Sequence, residues 1–169
     1  MFLKNDNAML NFDAKGNLIP YKPIPSTLAD VKKYLVDVMA TSGTRSENYV
    51  KYRKYSNDLK KVLEVKEMKQ WIKGSFVTKK LNPKDIDFIT FVDSSLVEKL
   101  EDKLVNFRPE KSWEVYGVDA YVLTVHSEGS ELYNRFTISD IAYWHGQYTR
   151  TRRNRKGEKF PKGFLEIIC

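Results

Sequence analysis

Residues 71–91, which read WIKGSFVTKKLNPKDIDFITF, decide the fold prediction. A short apolar run ends at Gly74-Ser75, a basic connection with a proline follows, and Asp85 and Asp87 open a second apolar run. Because side chains alternate between the faces of an extended strand, we expect Asp85 and Asp87 to point the same way. Neighbouring carboxylates repel one another unless a cation lies between them, and Mg²⁺ suits this role where the partner is a phosphate. The stretch is therefore the predicted active site.

The composition is that of a soluble globular protein. The 169 residues are enough for one domain with a sizeable core, and they are 41% hydrophobic and 30% charged. No apolar run is long enough to span a bilayer, and the polar N-terminus does not resemble a secretory signal. The only cysteine is Cys169, so an internal disulfide is excluded, which fits a reducing compartment. We therefore expect a cytoplasmic protein with no membrane partner.

Most of the net charge of +7 belongs to one segment near the C-terminus. Residues 150–162 contain seven basic residues and one acidic residue, which is +6 of that total. Such a segment favours contact with a nucleic acid or a nucleotide, and the alternatives are an acidic partner protein or a solvated, mobile loop. The residues predicted to contact nucleic acid or phosphate are Arg150, Arg152, Arg153, Arg155 and Lys162.

The pattern of apolar residues predicts an α+β domain with a small mixed β-sheet flanked by helices. Helices are predicted at about 27–40, 45–64 and 95–106, with a mixed helical segment at 132–148. Strands are predicted at Met68–Lys73, Asp85–Val92, Trp113–Val125 and Lys162–Ile168. Residues 1–25 are predicted to be irregular. We expect a single domain, residues 1–169, in which an N-terminal helical extension (1–66) precedes a core (67–169).

One acid lies inside a predicted strand. Asp119 has apolar neighbours, and an unpaired buried carboxylate costs several kcal/mol, so it should have a partner. If its strand pairs with Asp85–Val92, Asp119 converges on Asp85 and Asp87, and the three carboxylates can hold one or two Mg²⁺ ions on a triphosphate. The alternative is an ion pair with a lysine or an arginine. An arginine that filled the space between the acids would leave only the fold prediction.

The Gly74-Ser75 pair supplies the other half of the predicted site. Glycine allows the backbone to approach a phosphate closely, and successive N–H groups with a serine hydroxyl can surround its oxygens. Thr78 adds a hydroxyl and Lys80 adds a positive charge, which completes the predicted nucleotide-binding set. A Gly-Ser pair is common by chance, and an Asp-x-Asp is often only a polar strand end. The spacing of the two motifs therefore carries the prediction.

At these residues the chain resembles a known superfamily. Gly74-Ser75, nine intervening residues and then Asp85 and Asp87 between apolar residues resemble the signature of DNA polymerase beta-like nucleotidyltransferases, minimal stand-alone type. Relatives of that type occur in toxin–antitoxin and phage-defence systems. Many of them carry Ala-Arg-Gly where this chain has Val-Thr-Lys at 77–79, which leaves the nucleotide preference open.

A narrower resemblance covers most of the chain. The stretch GSFVTKKLNPKDID is similar to that of an uncharacterised bacterial and phage family with Gly-Ser-Phe-Val-Thr, then Pro, then Asp-x-Asp. That family shares a Gly-x-Leu-x-Pro element, which is Gly16–Pro20 in this chain. It also shares a C-terminal Tyr-Trp followed by Lys-Gly, which are residues 143–144 and 162–163 here.

The resemblance implies a nucleotidyltransferase-like fold and transfer of a nucleoside monophosphate from an NTP to a hydroxyl. The acceptor would be a protein or an RNA such as a tRNA, and the cofactor would be Mg²⁺ or Mn²⁺. Asp85 and Asp87 would be metal ligands, and Asp119 would be the third carboxylate and base. The context implies a cognate toxin or antitoxin partner. Two alternatives stay open: an inactive binding module that keeps the fold as an antitoxin or RNA-binding partner, and synthesis of a nucleotide second messenger.

Overall fold

The computed structural model describes residues 9–169 of the chain. These residues contain seven β-strands and five α-helices. The strands are β1 (Asn11–Phe12), β2 (Leu18–Ile19), β3 (Pro23–Ser26), β4 (Lys69–Lys73), β5 (Asp87–Asp93), β6 (Asp119–Val125) and β7 (Phe164–Ile168). The α-helices are α1 (Leu28–Lys32), α2 (Arg45–Leu63), α3 (Ser94–Lys99), α4 (Pro109–Tyr116) and α5 (Ile138–Tyr148). A 3₁₀-helix lies at Glu101–Phe107, and π-helical segments lie at Lys33–Asp37 and Tyr133–Thr137. Across these residues, no helix has both the length and the apolar character needed to cross a membrane.

Five of the strands form one mixed sheet in the order β3-β7-β4-β5-β6. The pairs β5–β6 and β3–β7 are parallel, whereas β4 is antiparallel to both of its neighbours. β1 and β2 form a separate antiparallel pair. The predicted α+β domain with a small mixed sheet flanked by helices is therefore confirmed.

The two faces of the sheet are covered unequally. On one face, Tyr52 and Tyr55 of α2 are fully buried, and each meets Phe88 edge-on with ring centroids 5.0 Å apart. This packing belongs to the larger of two apolar clusters. On the other face, α5 covers a smaller cluster that includes Trp71 and Tyr148. The second face also carries the charged residues described below.

The prediction of one strand over Trp113–Val125 is wrong in its first half. α4 ends at Tyr116, Gly117 has a φ of 69°, and β6 begins at Asp119. Glycine takes this left-handed conformation without the Cβ penalty, which is why it ends helices so often. Two apolar segments on either side of a glycine resemble one long strand in the sequence, because a short apolar run fits either structure. Asp119 therefore begins its strand instead of lying in its middle.

The N-terminal segment is also more regular than predicted. Residues 1–8 lie outside the described residues, but the rest of the segment predicted to be irregular supplies β1, β2 and most of β3. β3 pairs with β7 at the edge of the sheet, where Pro23 and Pro25 are tolerated because an edge strand leaves one side unpaired. The predicted N-terminal extension thus contributes a strand to the sheet of the core. The strand predicted to start at Asp85 starts two residues later, because β5 begins at Asp87. Asp85 therefore lies in the connection just before the strand.

Candidate active site

A row of three charged residues crosses the sheet at one level. Lys73, the last residue of β4, is paired with Asp87, the first residue of β5, and Asp87 is paired with Asp119, the first residue of β6. Paired residues on neighbouring strands direct their side chains to the same face. Asp87 and Asp119 therefore lie side by side, with Lys73 on the other side of Asp87. No motif in the sequence indicates Lys73.

A cleft of about 810 Å³ opens next to this row. Asp85 and Asp87 line it, and so do all four predicted nucleotide-binding residues: Gly74, Ser75, Thr78 and Lys80. Eight of the lining residues are basic: Lys73, Lys80, Lys84, Arg150, Arg152, Arg153, Lys159 and Lys162. With two acids against eight cations, the cleft suits a polyanionic ligand. Of the residues predicted for this site, Asp119 and Arg155 are not part of the lining.

Burial makes the carboxylates in the cleft costly to keep charged. Asp87 is 4% exposed. Burial raises its pKa, Asp119 acts in the same direction, and Lys73 and Arg152 oppose the rise. Burial and the charge of Asp87 likewise raise the pKa of Asp85. The negative charges are thus concentrated where an added cation would stabilise them.

An arginine reaches the cleft side of Asp87. The Nη2 atom of Arg152 lies 3.5 Å from Oδ1 of Asp87, and the arginine side chain is 88% exposed. Charge-assisted hydrogen bonds of this kind are normally about 2.7–2.9 Å long, and exposed ion pairs contribute little stability. The catalytic prediction requires that no arginine fills the space between the acids. Here one arginine contacts one acid, through a single long contact from a solvated side chain.

Gly74 has a second role, which the sequence motif does not indicate. Its φ is +80°, and a Cβ added there would overlap Oδ2 of Asp87 and lie 2.7 Å from its Cγ. Any other residue at this position would therefore push the carboxylate of Asp87 away. The predicted role of the glycine is to admit a phosphate, and it also makes room for the carboxylate.

The loop after Gly74 is held by its own hydrogen bonds. The N–H of Thr78 donates to the carbonyl of Ser75 at 3.2 Å, and the Thr78 hydroxyl donates to the same oxygen at 2.8 Å. That hydroxyl also accepts from the N–H of Lys80 at 3.2 Å. A hydroxyl has one proton to donate, so the predicted phosphate contact from Thr78 requires it to leave Ser75.

Arg45, at the start of α2, holds the same loop through hydrogen bonds to its backbone carbonyls. No sequence pattern indicates this role. The Arg45 side chain is 1% exposed, and burial lowers its pKa to about 10. Nη1 donates to the carbonyls of Leu35 (3.0 Å) and Phe76 (2.6 Å), and Nη2 donates to those of Thr78 and Lys80 (2.6 Å each). A planar guanidinium can serve four carbonyls at once, so Arg45 sets the shape of the loop.

We expect Arg45→Lys to lower the free energy of unfolding by about 2 kcal/mol, because one ammonium cannot satisfy four carbonyls that the fork satisfies. Urea denaturation measures the change, and amide hydrogen exchange in 76–80 should quicken. Arg53→Lys on the same helix is the control, since Arg53 makes no hydrogen bond or ion pair with the residues described. Equal unfolding free energies for the two variants would contradict the role given to Arg45.

The Gly-x-Leu-x-Pro element at 16–20 packs against the site. Gly16 has a φ of +79°, and its carbonyl accepts from the N–H of Lys79 at 2.9 Å. Asn17 forms a bridge with Thr78 and lines the cleft, and the carbonyl of Leu18 accepts from the N–H of Gly163 at 2.7 Å. The Gly-x-Leu-x-Pro element and the C-terminal Lys-Gly pair, which both belong to the narrower resemblance, are therefore in contact. Asn17 is therefore a cleft residue that was not among the predicted site residues.

The basic segment forms a hydrogen-bonded hairpin along one side of the cleft. The N–H of Thr151 donates to the carbonyl of Phe160 at 2.8 Å, and the N–H of Asn154 donates to that of Glu158 at 3.0 Å. Arg150 is bridged to Pro161. Five of the seven basic residues of this segment line the cleft: Arg150, Arg152, Arg153, Lys159 and Lys162.

The carboxylates fit Mg²⁺ or Mn²⁺ by their donor chemistry. Residues 9–169 include no group of three His, Cys, Asp or Glu side chains placed to hold a metal ion by themselves. Mg²⁺ does not need such a group, because it keeps several waters and is held by one or two carboxylates together with substrate phosphates. Asp85 and Asp87, which both line the cleft, meet that requirement.

Comparison with known proteins gives one match. Residues 10–168 match the family described as "Family of unknown function (DUF6932)". No curated protein and no solved structure matches the chain.

Proposed function

The chain belongs to this family of unknown function, and we propose that it is a metal-dependent nucleotidyltransferase with a nucleotidyltransferase-like sheet. It would transfer a nucleoside monophosphate from an NTP to a hydroxyl of a protein or an RNA such as a tRNA. One observation carries the proposal: Asp87 and Asp119 begin neighbouring parallel strands in register, beside the Gly74-Ser75 turn of a cationic cleft. The cleft volume of about 810 Å³ lies within the usual range for small-molecule sites.

Asp85 and Asp87 would hold Mg²⁺ or Mn²⁺, and Asp119 lies beside Asp87. When bound, the metal supplies charge stabilisation at the triphosphate and lowers the pKa of the attacking hydroxyl. Gly74 and Ser75 orient the triphosphate through their backbone N–H groups and the serine hydroxyl.

The chemistry needs one proton acceptor. The oxygen of the acceptor hydroxyl attacks the α-phosphorus, the bond to the bridging oxygen breaks, and its electron pair leaves with pyrophosphate. The proton of the hydroxyl would pass to a carboxylate oxygen of Asp119, which is paired with the cleft residue Asp87 although it is not itself part of the lining. Basic side chains from the loop and the hairpin, such as Lys80 and Arg150, balance the charge of the triphosphate and the leaving group.

A nucleic-acid acceptor would contact the side of the hairpin that lines the cleft, and this gives a prediction. We expect Arg150→Gln to weaken binding of a short single-stranded RNA about threefold or more, and to reduce the slope of log K against log salt concentration by about 0.7 for each phosphate that is no longer neutralised. Arg155→Gln is the matched control, because Arg155 belongs to the same hairpin but does not line the cleft. Fluorescence anisotropy at several salt concentrations measures both. Identical slopes for wild type and Arg150→Gln would favour a protein acceptor.

A second candidate function is an inactive binding module, an antitoxin or RNA-binding partner. The contact between Arg152 and Asp87 favours it, since an arginine can stand where a metal would otherwise neutralise the acid. This candidate predicts salt-sensitive association with RNA or protein that survives replacement of both Asp85 and Asp87. It shares with the first proposal a cognate toxin or antitoxin partner, in a toxin–antitoxin or phage-defence setting.

A transfer assay separates the two. Each of the four NTPs, labelled at the α-phosphate, is incubated with the protein and Mg²⁺ or Mn²⁺, with total RNA or the product of the adjacent gene as acceptor. We expect label on one acceptor with one preferred base. Binding of an acceptor without label from any NTP would support the inactive module.

A further inference from the structure

Two lysine side chains reach the cleft and neither forms a direct ion pair within the described part of the chain, although Lys73 is the strand neighbour of Asp87. Lys162 is 7% exposed, Lys73 is partly buried, and both line the cleft. Within residues 9–169, neither Nζ atom has a hydrogen-bond or ion-pair partner. A buried ammonium is costly unless it is paired, and such groups are normally paired. The two ammonium groups are therefore placed for an anionic ligand.

The backbone around Lys162 is fixed by both sides of the cleft. Its N–H donates to the carbonyl of Thr149 at 2.9 Å, and the next N–H, that of Gly163, donates to Leu18 at 2.7 Å. A Cβ added at Gly163 would overlap the carbonyl of Pro20, so the chain lies closely against the N-terminal element. The position of Lys162 is thus set before any ligand binds.

Lys73 is held at the same end of the sheet. β4 ends at Lys73, and its antiparallel neighbour β7 begins just after Lys162. The Nζ atom of Lys73 lies 4.5 Å from the ring centroid of Tyr148. The Gly74-Ser75 turn follows Lys73 directly, so both lysines flank the turn predicted to receive phosphate oxygens.

The two lysines repel each other when both are protonated. Burial lowers the pKa of Lys162 to about 8, and the charge of Lys73 acts in the same direction, while Asp87 opposes it. Burial also lowers the pKa of Lys73. A ligand with one negative charge can neutralise only one of the two, whereas a diphosphate offers oxygens to both. Arg152, whose side chain is solvated, can add a third cation by leaving Asp87.

We propose that Lys73 and Lys162 form a diphosphate site that holds the two terminal phosphates of the NTP. The assignment of an NTP rests on the proposed function, but the anion site itself does not. The same two ammonium groups would bind inorganic pyrophosphate, which is also the product that the reaction releases.

Titration calorimetry with pyrophosphate tests the site in the full chain, with EDTA present to exclude divalent metals. We expect Lys73→Met and Lys162→Met each to weaken pyrophosphate binding about tenfold, or about 1.4 kcal/mol. Lys99→Met, at an exposed lysine outside the cleft, should bind as the wild type does. Adenosine monophosphate, which lacks the diphosphate, should bind equally to all four proteins. Thermal unfolding checks that each variant is folded.

The outcomes separate the site from the function. Pyrophosphate binding that depends on both lysines, without nucleotidyl transfer, would support the site and contradict the proposed function. Nucleotidyl transfer with an unchanged KM for NTP in folded Lys73→Met and Lys162→Met would support the proposed function and contradict the site. Failure of the wild type to bind pyrophosphate, or wild-type binding by both variants, would overturn the site.

Discussion

Asp87→Asn is expected to abolish nucleotidyl transfer and to leave the fold intact. The carboxylate is in register with Asp119, lies against Gly74 and lines the cleft, so it is the acid best placed to hold a metal. An amide keeps the shape but removes the charge that the metal needs. We expect kcat/KM to fall at least about a thousandfold, or about 4 kcal/mol of transition-state stabilisation. The rate of label transfer from an α-labelled NTP to the acceptor measures it.

The opposite end of the same strand provides the control. Asp93 ends β5, is exposed, and accepts a hydrogen bond from the N–H of Ser95 at 2.8 Å as the cap of α3. Asparagine caps helices as well as aspartate does, so Asp93→Asn should keep both stability and activity. Asp85→Asn should lower kcat/KM for nucleotidyl transfer to a similar extent as Asp87→Asn. Undiminished labelling in both Asp85→Asn and Asp87→Asn would rule out the catalytic proposal.

The stability of Asp87→Asn is informative as well. Burial raises the pKa of Asp87 above its ordinary value of 3.8, so the folded protein binds this proton more tightly than the unfolded chain does. The free energy of unfolding contributed by this group then falls as pH rises, over the window between 3.8 and the higher folded pKa. The asparagine variant lacks this pH-dependent decrease. We therefore expect it to be at least as stable as the wild type near neutral pH, by urea denaturation.

The parts of the site that could be predicted are the ones with a local pattern. Gly74-Ser75 and the acids at 85 and 87 are close in sequence and flank apolar runs, so their spacing is visible in the sequence. Asp119 is harder to place, because its register depends on a parallel pairing between distant segments. Its predicted strand is also too long, since Gly117 ends a helix there and the apolar residues on either side fit a helix or a strand.

The missed residues act through tertiary contacts that have no sequence pattern. Arg45 binds backbone carbonyls, and a carbonyl is present at every residue, so no residue type marks its partners. Lys73 ends a short predicted strand, and only the pairing with Asp87 shows its place in the charged row. Asn17 reaches the cleft because the N-terminal element folds back on Thr78. The Gly-x-Leu-x-Pro pattern is the one signal that could have indicated it.

Gly74→Ala should abolish nucleotidyl transfer and also lower the free energy of unfolding. Alanine at a φ of +80° costs about 1–2 kcal/mol, and its Cβ would overlap Oδ2 of Asp87, so the carboxylate must move. We expect the free energy of unfolding to fall by about 3 kcal/mol and transfer to fall as far as in Asp87→Asn. Gly157→Ala is the matched control, since Gly157 has a φ of +78° and no atom within 4 Å of an added Cβ. It should show the backbone cost alone.

A double-mutant cycle shows whether the contact with Asp87 is the cause. In Asp87→Ala the overlapping oxygen and the Cγ atom are gone, and the remaining Cβ would lie 3.3 Å from the added one, which needs only a small adjustment. Gly74→Ala should then cost about 1–2 kcal/mol, close to the cost of Gly157→Ala. If Gly74→Ala costs the same with and without the Asp87 carboxylate, the glycine serves the backbone turn alone. A smaller cost in the Asp87→Ala background means instead that the turn and the acid depend on each other, because one position cannot change without displacing the other.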